Sequence, residues 1–428
     1  MNDVCLGISQ DQLNQILASV YDKTHAQLFK GNASLDFQGT TVNLTYDIGA
    51  PPLVNLSAGL HLESAAQAVL TAAASHPEFA NANAEFVPQD HVETVAALLV
   101  DAPGLTITLN PIVITFSSGP ESAPMTVSSV TQATLTSSGG KIGFNVISTA
   151  VTSGGTPFQQ WLTTKFIQPK MNQIIQQALG GVSFAIPSIP GVPVSPFSVG
   201  IVGGNLLAVA NVNGGQPPVP TQPVPGLGQP FFVSLDNAAL QAAAQAAIGN
   251  GVALNGGDSS GGSGFSVHYN YSFRAVNPQV QAQGNQIAAT FSVAGSAGAG
   301  AEVFWVDIGI GVDVGTSPNP TLIANVVPRG NSVSIVSDHA QDFNIDVNLS
   351  GSVGKLVGWM VNWLLSSIAN ALKPQILGYL GGINFATLDI PAITQPIGDT
   401  SITITPWLTN TTGGGGGVII LGGNLAAS

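Results

Sequence analysis

Two stretches of this chain have closely similar sequences, and they are separated by about half of its length. Residues 178–209 begin ALGGVSFAIPSIPG and end VGIVGGNLLAV, and residues 379–427 begin YLGGINFATLDIPAI and end GVIILGGNLAA. A period of this length exceeds that of solenoid and propeller repeats. The sequence therefore predicts two copies of one domain. A weaker match, Ile8-Ser9-x-Asp11 with Val233-Ser234-x-Asp236, opens each copy with a helix.

The segment between the two copies is rich in proline. Residues 213–230 read NGGQPPVPTQPVPGLGQP, and proline-rich segments are extended and fairly stiff. We therefore predict a first domain over 1–212, a linker of fixed geometry over 213–230 and a second domain over 231–428. Two helical stretches within 62–101 have no counterpart in the second copy and are interpreted as an insertion.

Charged residues are scarce in this chain. They make up 7% of it, against about 25% in ordinary soluble domains. Hydrophobic residues make up 44% and the mean hydropathy is +0.35, yet no stretch has the roughly 18 consecutive apolar residues of a membrane-spanning helix. We therefore expect no integral membrane segment. We also expect much apolar surface to face inward or to face a bound apolar guest.

The net charge of −13 argues against nucleic acid as a binding partner and against electrostatic docking on anionic membranes. Transient membrane contact stays open. A single cysteine, Cys5, excludes an intrachain disulfide. The start Met1-Asn2-Asp3 lacks the pattern of a secretory signal. We expect a cytoplasmic chain, or a secreted or periplasmic one if a signal has been removed.

Apolar spacing in the first copy predicts a helix over 9–30, with Ser9 and Gln12 forming a capping box. A longer helix starts near Pro157 and is interrupted at Pro169. Alternating stretches predict strands at 34–37, 41–46, 53–60, 105–109, 112–116, 125–135 and 141–148, with closing strands near 182–189 and 199–210.

The second copy repeats this order. It opens with a helix over 236–248 made almost entirely of Ala and Gln, followed by a Gly/Ser loop over 249–264. A helix over 353–380 would be about 42 Å long, with Pro374 interrupting it. Strands are predicted at 265–274, 286–294, 302–314, 321–326, 332–337, 343–349, 402–405 and 418–421.

A helix of that length carries more apolar surface than a compact core requires. A sheet wrapped around it would form a tube with an apolar lumen. We therefore predict an α+β fold of two tandem elongated barrels. Each barrel is a highly twisted antiparallel sheet wrapped around a long helix, and the Pro-rich linker joins them.

This tandem order resembles the tubular lipid-binding (TULIP) superfamily, in particular its double-barrel type represented by bactericidal/permeability-increasing protein. The resemblance is carried by the helix start at Ile8–Leu13, by PKMNQIIQQALGGVSFAIP at 169–187 and by the final Gly-Gly-Asn-Leu strand. It implies two barrels that meet at a shared central sheet, apolar pockets for lipid acyl chains, and no catalysis.

The chain departs from the animal members of that superfamily. It lacks their disulfide cysteines, it is acidic where the endotoxin binders are cationic, and it carries little charge. These departures argue against lipopolysaccharide as the ligand. The composition is more similar to that of bacterial members, some of which occur in clostridial toxin clusters, so we expect a bacterial source.

Motifs for catalysis have little support in the sequence. There is no Gly-x-x-x-x-Gly-Lys-Ser/Thr and no HExxH. The one Gly-x-Ser-x-Gly match, at 257–261, falls within the Gly/Ser loop predicted over 249–264 and is not interpreted as a nucleophile elbow. The stretch Gly351-Ser-Val-Gly-Lys355 has the wrong spacing for a phosphate loop and is interpreted as a helix start. We therefore expect no enzyme, no metal site and no cofactor other than a bound lipid.

The candidate lipid-binding residues lie on the apolar faces of the helices. Core packing explains each of them singly, whereas together they could line a lumen. The Ala-rich helix fills little volume, so it leaves either a closely apposed sheet or space for a guest. The second of these outcomes would be a lumen, and we take the helix to favour it. The candidates are Leu13, Ile16, Leu17, Val20, Trp161, Leu162, Phe166, Ile174, Leu240, Ala244, Met360, Trp363, Leu364 and Ile368.

Two functions fit these observations. The first is non-enzymatic binding or carriage of phospholipid or fatty acyl chains, with the 249–264 loop and the 62–101 insertion as candidate gates. The second is a structural or interaction module with closed barrels, in a secreted or toxin-associated complex, that binds a protein partner. Open apolar volume distinguishes the first from the second.

Overall fold

The structure is a computed structural model in which antiparallel sheet predominates. The described strands form a central sheet and two curled half-barrel sheets, with few helices. This agrees with a two-part α+β fold, while the wrapping of each sheet around a long helix stays a prediction. The described residues are 3–37, 40–57, 104–118, 121–138, 141–153, 156, 159–160, 163–169, 184–185, 193–212, 214–248, 252–262, 265–303, 306–351, 358–382, 388–397 and 400–428.

The central sheet takes strands from both copies of the repeat. Its strands are β1 (Val4–Ser9), β9 (Ser198–Val202), β10 (Asn205–Ala210), β11 (Phe231–Asp236), β20 (Ile393–Ile397), β21 (Thr400–Gly413) and β22 (Val418–Ala427). They lie in the order β20-β21-β22-β11-β1-β10-β9. The two copies therefore share one sheet, as the resemblance implies.

The copies meet where β1 pairs antiparallel with β11. Leu6 lies opposite Val233, and Gly7 lies opposite Phe232. Leu6 and Val233 are buried in the main apolar core, whereas Phe232 is buried in a separate cluster on the other face of the sheet. Alternation along the strands thus makes both faces of this sheet apolar.

Two short helices follow β1 and β11, and their caps show which positions of the two copies correspond. Helix α1 (Gln10–Thr24) is capped by Ser9, whose Oγ accepts from the Gln12 N–H. Helix α2 (Asn237–Ile248) is capped by Asp236, whose Oδ1 accepts from the N–H groups of Ala238 and Ala239. Ser9 therefore corresponds to Asp236, and the sequence match of Ser9 with Ser234 is wrong by two residues.

Amide side chains fix both helices to a strand in the same way. From α1, Gln10 Oε1 accepts from the Leu56 N–H and Asn14 Oδ1 from the Val54 N–H. From α2, Asn237 Oδ1 accepts from the Ala282 N–H and Gln241 Oε1 from the Val280 N–H. The amides occupy equivalent positions four residues apart, with Asn and Gln exchanged.

The Gly-Gly-Asn-Leu match does not mark equivalent positions. Gly203 and Gly204 form the turn between β9 and β10, with φ of 56° and 71°. Gly422 and Gly423 instead lie inside β22, opposite Phe232 and Phe231. The turn that corresponds to Gly203-Gly204 is formed by 414–417, so this prediction from the sequence is wrong.

The first copy contributes one half-barrel sheet, in the order β2-β3-β5-β6-β7-β8 with β4 also paired to β5. Its strands are β2 (Lys30–Phe37), β3 (Thr40–Ile48), β4 (Leu53–Ser57), β5 (Gly104–Ser118), β6 (Glu121–Ser138), β7 (Lys141–Ser153) and β8 (Phe184–Ala185). The two strands predicted at 105–109 and 112–116 are one strand with a bulge between Leu109 and Ile112. The insertion at 62–101 lies outside the described residues.

The second half-barrel sheet runs β12-β13-β14-β16-β17-β19, and β15 joins β14 to β18. Its strands are β12 (Val252–Gly262), β13 (Phe265–Gln283), β14 (Gln286–Val303), β15 (Val306–Ser317), β16 (Thr321–Arg329), β17 (Ser332–Ala340), β18 (Asn344–Gly351) and β19 (Leu388–Asp389). The strand predicted over 302–314 is two strands, because the chain reverses between Val303 and Val306.

The Gly/Ser stretch after α2 is a strand. Residues 252–262 pair with β13 along their whole length, so the prediction of a loop over 249–264 is wrong for these residues. The glycines have a steric reason: a Cβ on Gly256 would lie 2.3 Å from Tyr271 Oη. The proposed gate at this place is therefore an edge strand of the sheet.

A long helix, α3 (Gly358–Gly382), completes the second copy and packs on β17 and β18. Pro374 lies inside α3 without ending it. The first copy has π-helical turns at His25–Phe29 and Thr163–Ile167. Most of the helix predicted from Pro157, including 170–183, lies outside the described residues.

The Pro-rich segment packs on the outer face of the central sheet. Val224 and Leu227 pack against the apolar cluster that contains Cys5 and Phe232. The backbone of the segment also bonds to the sheet, since Pro217 O accepts from Ser198 Oγ. Residues 214–230 thus cover an apolar face that would otherwise be open.

Gly7 should be intolerant of any side chain. A Cβ on Gly7 would lie 2.0 Å from Phe232 Cε1, and overpacking of a tight core costs about 1–3 kcal/mol. We expect Gly7→Ala to lower the free energy of unfolding by this amount in urea titrations. Gly215→Ala, with no atom within 4 Å of its Cβ, is the control and should change stability by under about 0.5 kcal/mol. Equal effects would contradict the β1–β11 packing.

Cys5 reports on the same sheet. Burial raises the pKa of its thiol to about 12, and only the thiolate reacts. At about pH 7 we expect iodoacetamide to label Cys5 far more slowly in the folded protein than in the urea-unfolded chain. The linked stability is full below pH 9.0 and declines as the pH rises toward 12. Equal labelling rates would mean that this sheet is open.

Candidate functional site

The candidate site is the largely apolar interior that the inner faces of the sheets and the helices form. The main cluster joins inward residues of the central sheet to residues of both half-barrel sheets. A second cluster lies in the first copy, around Ile48, Ile112, Ile114 and Met125. Among the residues whose side-chain burial is described, no Asp, Glu, Lys or Arg is buried. The interior can therefore receive apolar groups and offers them no charge.

The predicted residues of α1 lie against the main cluster. Leu13 and Ile16 are buried within it, while Leu17 and Val20 are half-buried and pack on it. The helix is held across the boundary between the copies, because Gln12 Nε2 donates to Leu425 O at 2.9 Å. The predicted capping box is therefore half formed, since the Gln12 side chain bonds to β22 instead of to Ser9.

The predicted residues of α2 are packed closely against protein. Leu240 and Ala244 are buried in the main cluster, and the helix lies directly on β13 through the amides of Asn237 and Gln241. Of the two outcomes foreseen for a thin Ala-rich helix, the close apposition of the sheet applies here.

The remaining candidates are described in part or not at all. Phe166 lies in the π-helical turn Thr163–Ile167, and four candidates lie on α3, where the structure describes the backbone. Those four are Met360, Trp363, Leu364 and Ile368. Trp161, Leu162 and Ile174 lie outside the described residues. The assignment of these residues to lipid binding stays a prediction.

A row of aromatic rings lines the inner face of β13, and sequence reasoning missed it. Tyr269, Tyr271 and Phe273 are buried, with ring centroids 6.4 Å and 5.8 Å apart and interplanar angles of 14° and 21°. They lie opposite Ala299, Ala297 and Gly295 of β14. The sequence does contain a signal for this row. Three aromatic residues occur at every second position of β13, and the strand opposite them is rich in Gly and Ala.

The aromatic row is connected to α3. Burial raises the pKa of the Tyr271 hydroxyl above its usual value, and the nearby side chain of Gln375 in α3 lowers it in part. Leu372, Ile376 and Leu380 add an apolar stripe of α3 to the same core. The second copy is thus filled by rings and by helix side chains at this level.

Charged pairs lie at the periphery of the interior. Asp47 of β3 bonds to His25 at 2.9 Å and to Lys30 at 3.2 Å. Lys373 bonds to Asp342 at 2.6 Å, and this bond lowers the pKa of the Asp342 carboxyl. In the part of the chain that the structure describes, no three His, Cys, Asp or Glu side chains group as metal ligands would.

Among the helices that are described, none combines the length and apolar character needed to cross a membrane.

Comparisons with known proteins give matches of overall structure alone. No family model and no curated protein match the chain. P47 from Clostridium botulinum A2 matches with a TM-score of 0.46 and 11% identity, over 99% of this chain and 97% of that chain. P47 of Clostridium botulinum E1 matches with a TM-score of 0.44 and 10% identity, over 99% of each chain. A lipopolysaccharide binding protein matches with a TM-score of 0.34 and 10% identity, over 99% of each chain. Similarity at this level identifies neither a family nor a ligand for this chain.

A hydrogen bond between Tyr271 and the nearby Gln375 would couple α3 to β13. We expect the double-mutant cycle of Tyr271→Phe and Gln375→Ala to give an interaction of about 0.5–1.5 kcal/mol in the free energy of unfolding. The control cycle combines Gln375→Ala with Tyr46→Phe, which removes a hydroxyl from the first copy, and should be additive. Additivity in both cycles would show that the bond does not stabilise the fold.

Proposed function

We propose that this protein binds lipid without catalysing a reaction and holds acyl chains against the apolar interior. The observation that carries the proposal is the predominantly apolar chemistry of that interior. Its inward strand and helix faces are mostly apolar, and each Asp, Glu, Lys and Arg whose side-chain burial is described lies outside the buried set. Such an interior matches a hydrocarbon chain better than it matches a polar substrate.

The energetics are those of hydrocarbon transfer. Burial of each CH₂ contributes about 0.8 kcal/mol, so an acyl chain of about sixteen carbons gains roughly 12 kcal/mol before the costs of ordering. Part of this gain is offset because the chain must displace or open existing packing. The head group would lie at the surface, where hydroxyls and amides outnumber charges.

The predicted ligand contacts fall into two groups. Leu17 and Val20 are half-buried beside the main cluster, so a ligand could contact them without unpacking the core. Leu13, Ile16, Leu240 and Ala244 are already buried by protein. We therefore assign the first contacts of an acyl chain to Leu17 and Val20.

The chain would belong to the tubular lipid-binding superfamily in its double-barrel form, with the long helix inside each barrel. We also propose a bacterial source and transient contact with a membrane surface. The location would be secreted or periplasmic if a signal has been removed, and cytoplasmic otherwise.

An interaction module is the second candidate, and the second copy favours it. The aromatic row of β13, the close packing of α2 and the apolar stripe of α3 fill that interior. A filled second barrel would leave its polar, uncharged surface for a protein partner. Lipid binding by the first copy and partner binding by the second are compatible.

Lipid loading tests the first proposal. Native mass spectrometry of the purified protein, with solvent extraction, should show one or two lipids per chain. Oleic acid or phosphatidylcholine should also raise the melting temperature of delipidated protein, since a ligand that binds only the folded state stabilises it.

One variant and its control make the result specific. Leu17→Gln should weaken loading about tenfold through loss of roughly 1.4 kcal/mol of apolar contact. Leu53→Gln makes the same change at a side chain that is 59% exposed and should leave loading unchanged. If neither lipid loads, the closed interaction module is the better account.

A further inference from the structure

The interior of the first copy contains a band of hydroxyl groups between its two apolar clusters. Strand β6 turns every second residue inward, and the inward series is Met125, Val127, Ser129, Thr131, Ala133 and Leu135. The first two belong to the second apolar cluster and the last two to the main cluster. Ser129 and Thr131 between them are 1% and 0% exposed.

The neighbouring strand extends this band. Thr149 of β7 lies opposite Thr131, and their Oγ1 atoms are 2.8 Å apart. Each hydroxyl has one proton to donate, and only one of the two protons can lie between the oxygens. The other Thr proton is left to point elsewhere. The band is therefore a source of hydrogen-bond donors inside an apolar interior.

Ser129 is the unusual member of the band. Its Oγ is out of contact with solvent and has no hydrogen-bond partner among the described residues. A buried hydroxyl without a partner costs about 1–3 kcal/mol, and most buried polar groups are paired. An alanine at this position would avoid that cost. The hydroxyl is thus best explained by a partner that arrives with a ligand.

The chemistry of the band selects the ligand. Donors that are neutral suit a neutral acceptor. Among the side chains whose burial is described, no charged one is buried where it could balance a phosphate or a carboxylate. The acceptor must also have hydrocarbon on both sides, because apolar clusters lie toward both ends of β6. An ester carbonyl between two hydrocarbon chains meets both conditions.

We propose that the first copy binds a neutral lipid ester, with its ester carbonyl accepting hydrogen bonds from Ser129 and from the Thr131–Thr149 pair. This inference rests on the proposed lipid binding and names its ligand class. The two hydrocarbon arms lie along the two apolar clusters. At about 3.3 Å per strand residue, the band is roughly 13 Å from Met125, which leaves length for an arm on that side.

A segment that contains a π-helical turn lies against β7 beside the band. The π-helical turn Thr163–Ile167 packs against β7, with Ile167 in the second apolar cluster. Gln168 Nε2 then donates to Thr149 O at 2.7 Å. The segment thus places the apolar Ile167 and the amide of Gln168 beside the proposed site.

The experiment compares four probes on the full chain. Delipidated protein is incubated with phosphatidylcholine vesicles that contain oleyl oleate, squalene or oleic acid, then separated and extracted. Retained lipid, including the phosphatidylcholine, is quantified by mass spectrometry. We expect oleyl oleate to be retained in preference to squalene, the probe that has hydrocarbon without an ester.

Two variants remove the donors. Ser129→Ala and the shape-conserving Thr131→Val/Thr149→Val should each reduce oleyl oleate retention about fivefold, the worth of one hydrogen bond, and leave squalene unchanged. The control Thr290→Val/Thr321→Val breaks a hydroxyl pair of the same 2.8 Å length in the other half-barrel sheet and should change neither. The melting temperature distinguishes a ligand-binding role of Ser129 from a structural one, because lipid-free Ser129→Ala should be at least as stable as the wild type.

Each outcome decides the matter. A wild-type preference for the ester that both donor variants abolish supports the inference. Retention of phosphatidylcholine or oleic acid without oleyl oleate overturns it and leaves lipid binding standing, as does an ester preference that the variants do not alter. Failure to retain any of the four probes overturns lipid binding as well.

Discussion

The structure depends on one antiparallel strand pairing, that of β1 with β11. This pairing turns three strands of the first copy and four of the second into a single sheet. Without it, β1 and β11 would each present an unpaired edge, which is a hazard for aggregation. It also places α1 over β22, so that Gln12 and Lys23 of the first copy bond to Leu425 O and Ala427 O of the second. Each copy therefore completes the packing of the other.

The duplication is preserved in the docking of the helices more clearly than in the sequence. Ser9 and Asp236 are different cap residues with the same function, and both are favoured at helix starts. The amides of Gln10 and Asn14 correspond to those of Asn237 and Gln241, with the residue types exchanged. A match of identical letters aligned Ser9 with Ser234 instead. The equivalent residues of the two copies share a hydrogen-bonding capacity, which a comparison of identical residue types does not detect.

The alternation of apolar residues predicted most strands, the capping pattern predicted the helix start at Ser9, and the resemblance implied the shared sheet. It failed where side chains are small. Residues 252–262 look like a loop because Gly and Ser disfavour strands on their own, yet rings from β13 cover their backbone. The candidate residues on α1 and α2 do lie at the core, as helical periodicity indicates. The aromatic row and the hydroxyl band depend on cross-strand neighbours, and a single strand read alone cannot identify those.

The two copies use the same scaffold for different interiors. The second is occupied by Tyr269, Tyr271 and Phe273, whose stacked rings are stabilising without any guest. The first instead places Ser129 and Thr131 in the middle of an apolar face, an arrangement that lowers stability unless something accepts their protons. Departures from good packing tend to lie at functional sites. Under the proposed function, this asymmetry favours ligand binding by the first copy, while the second contributes four strands to the central sheet.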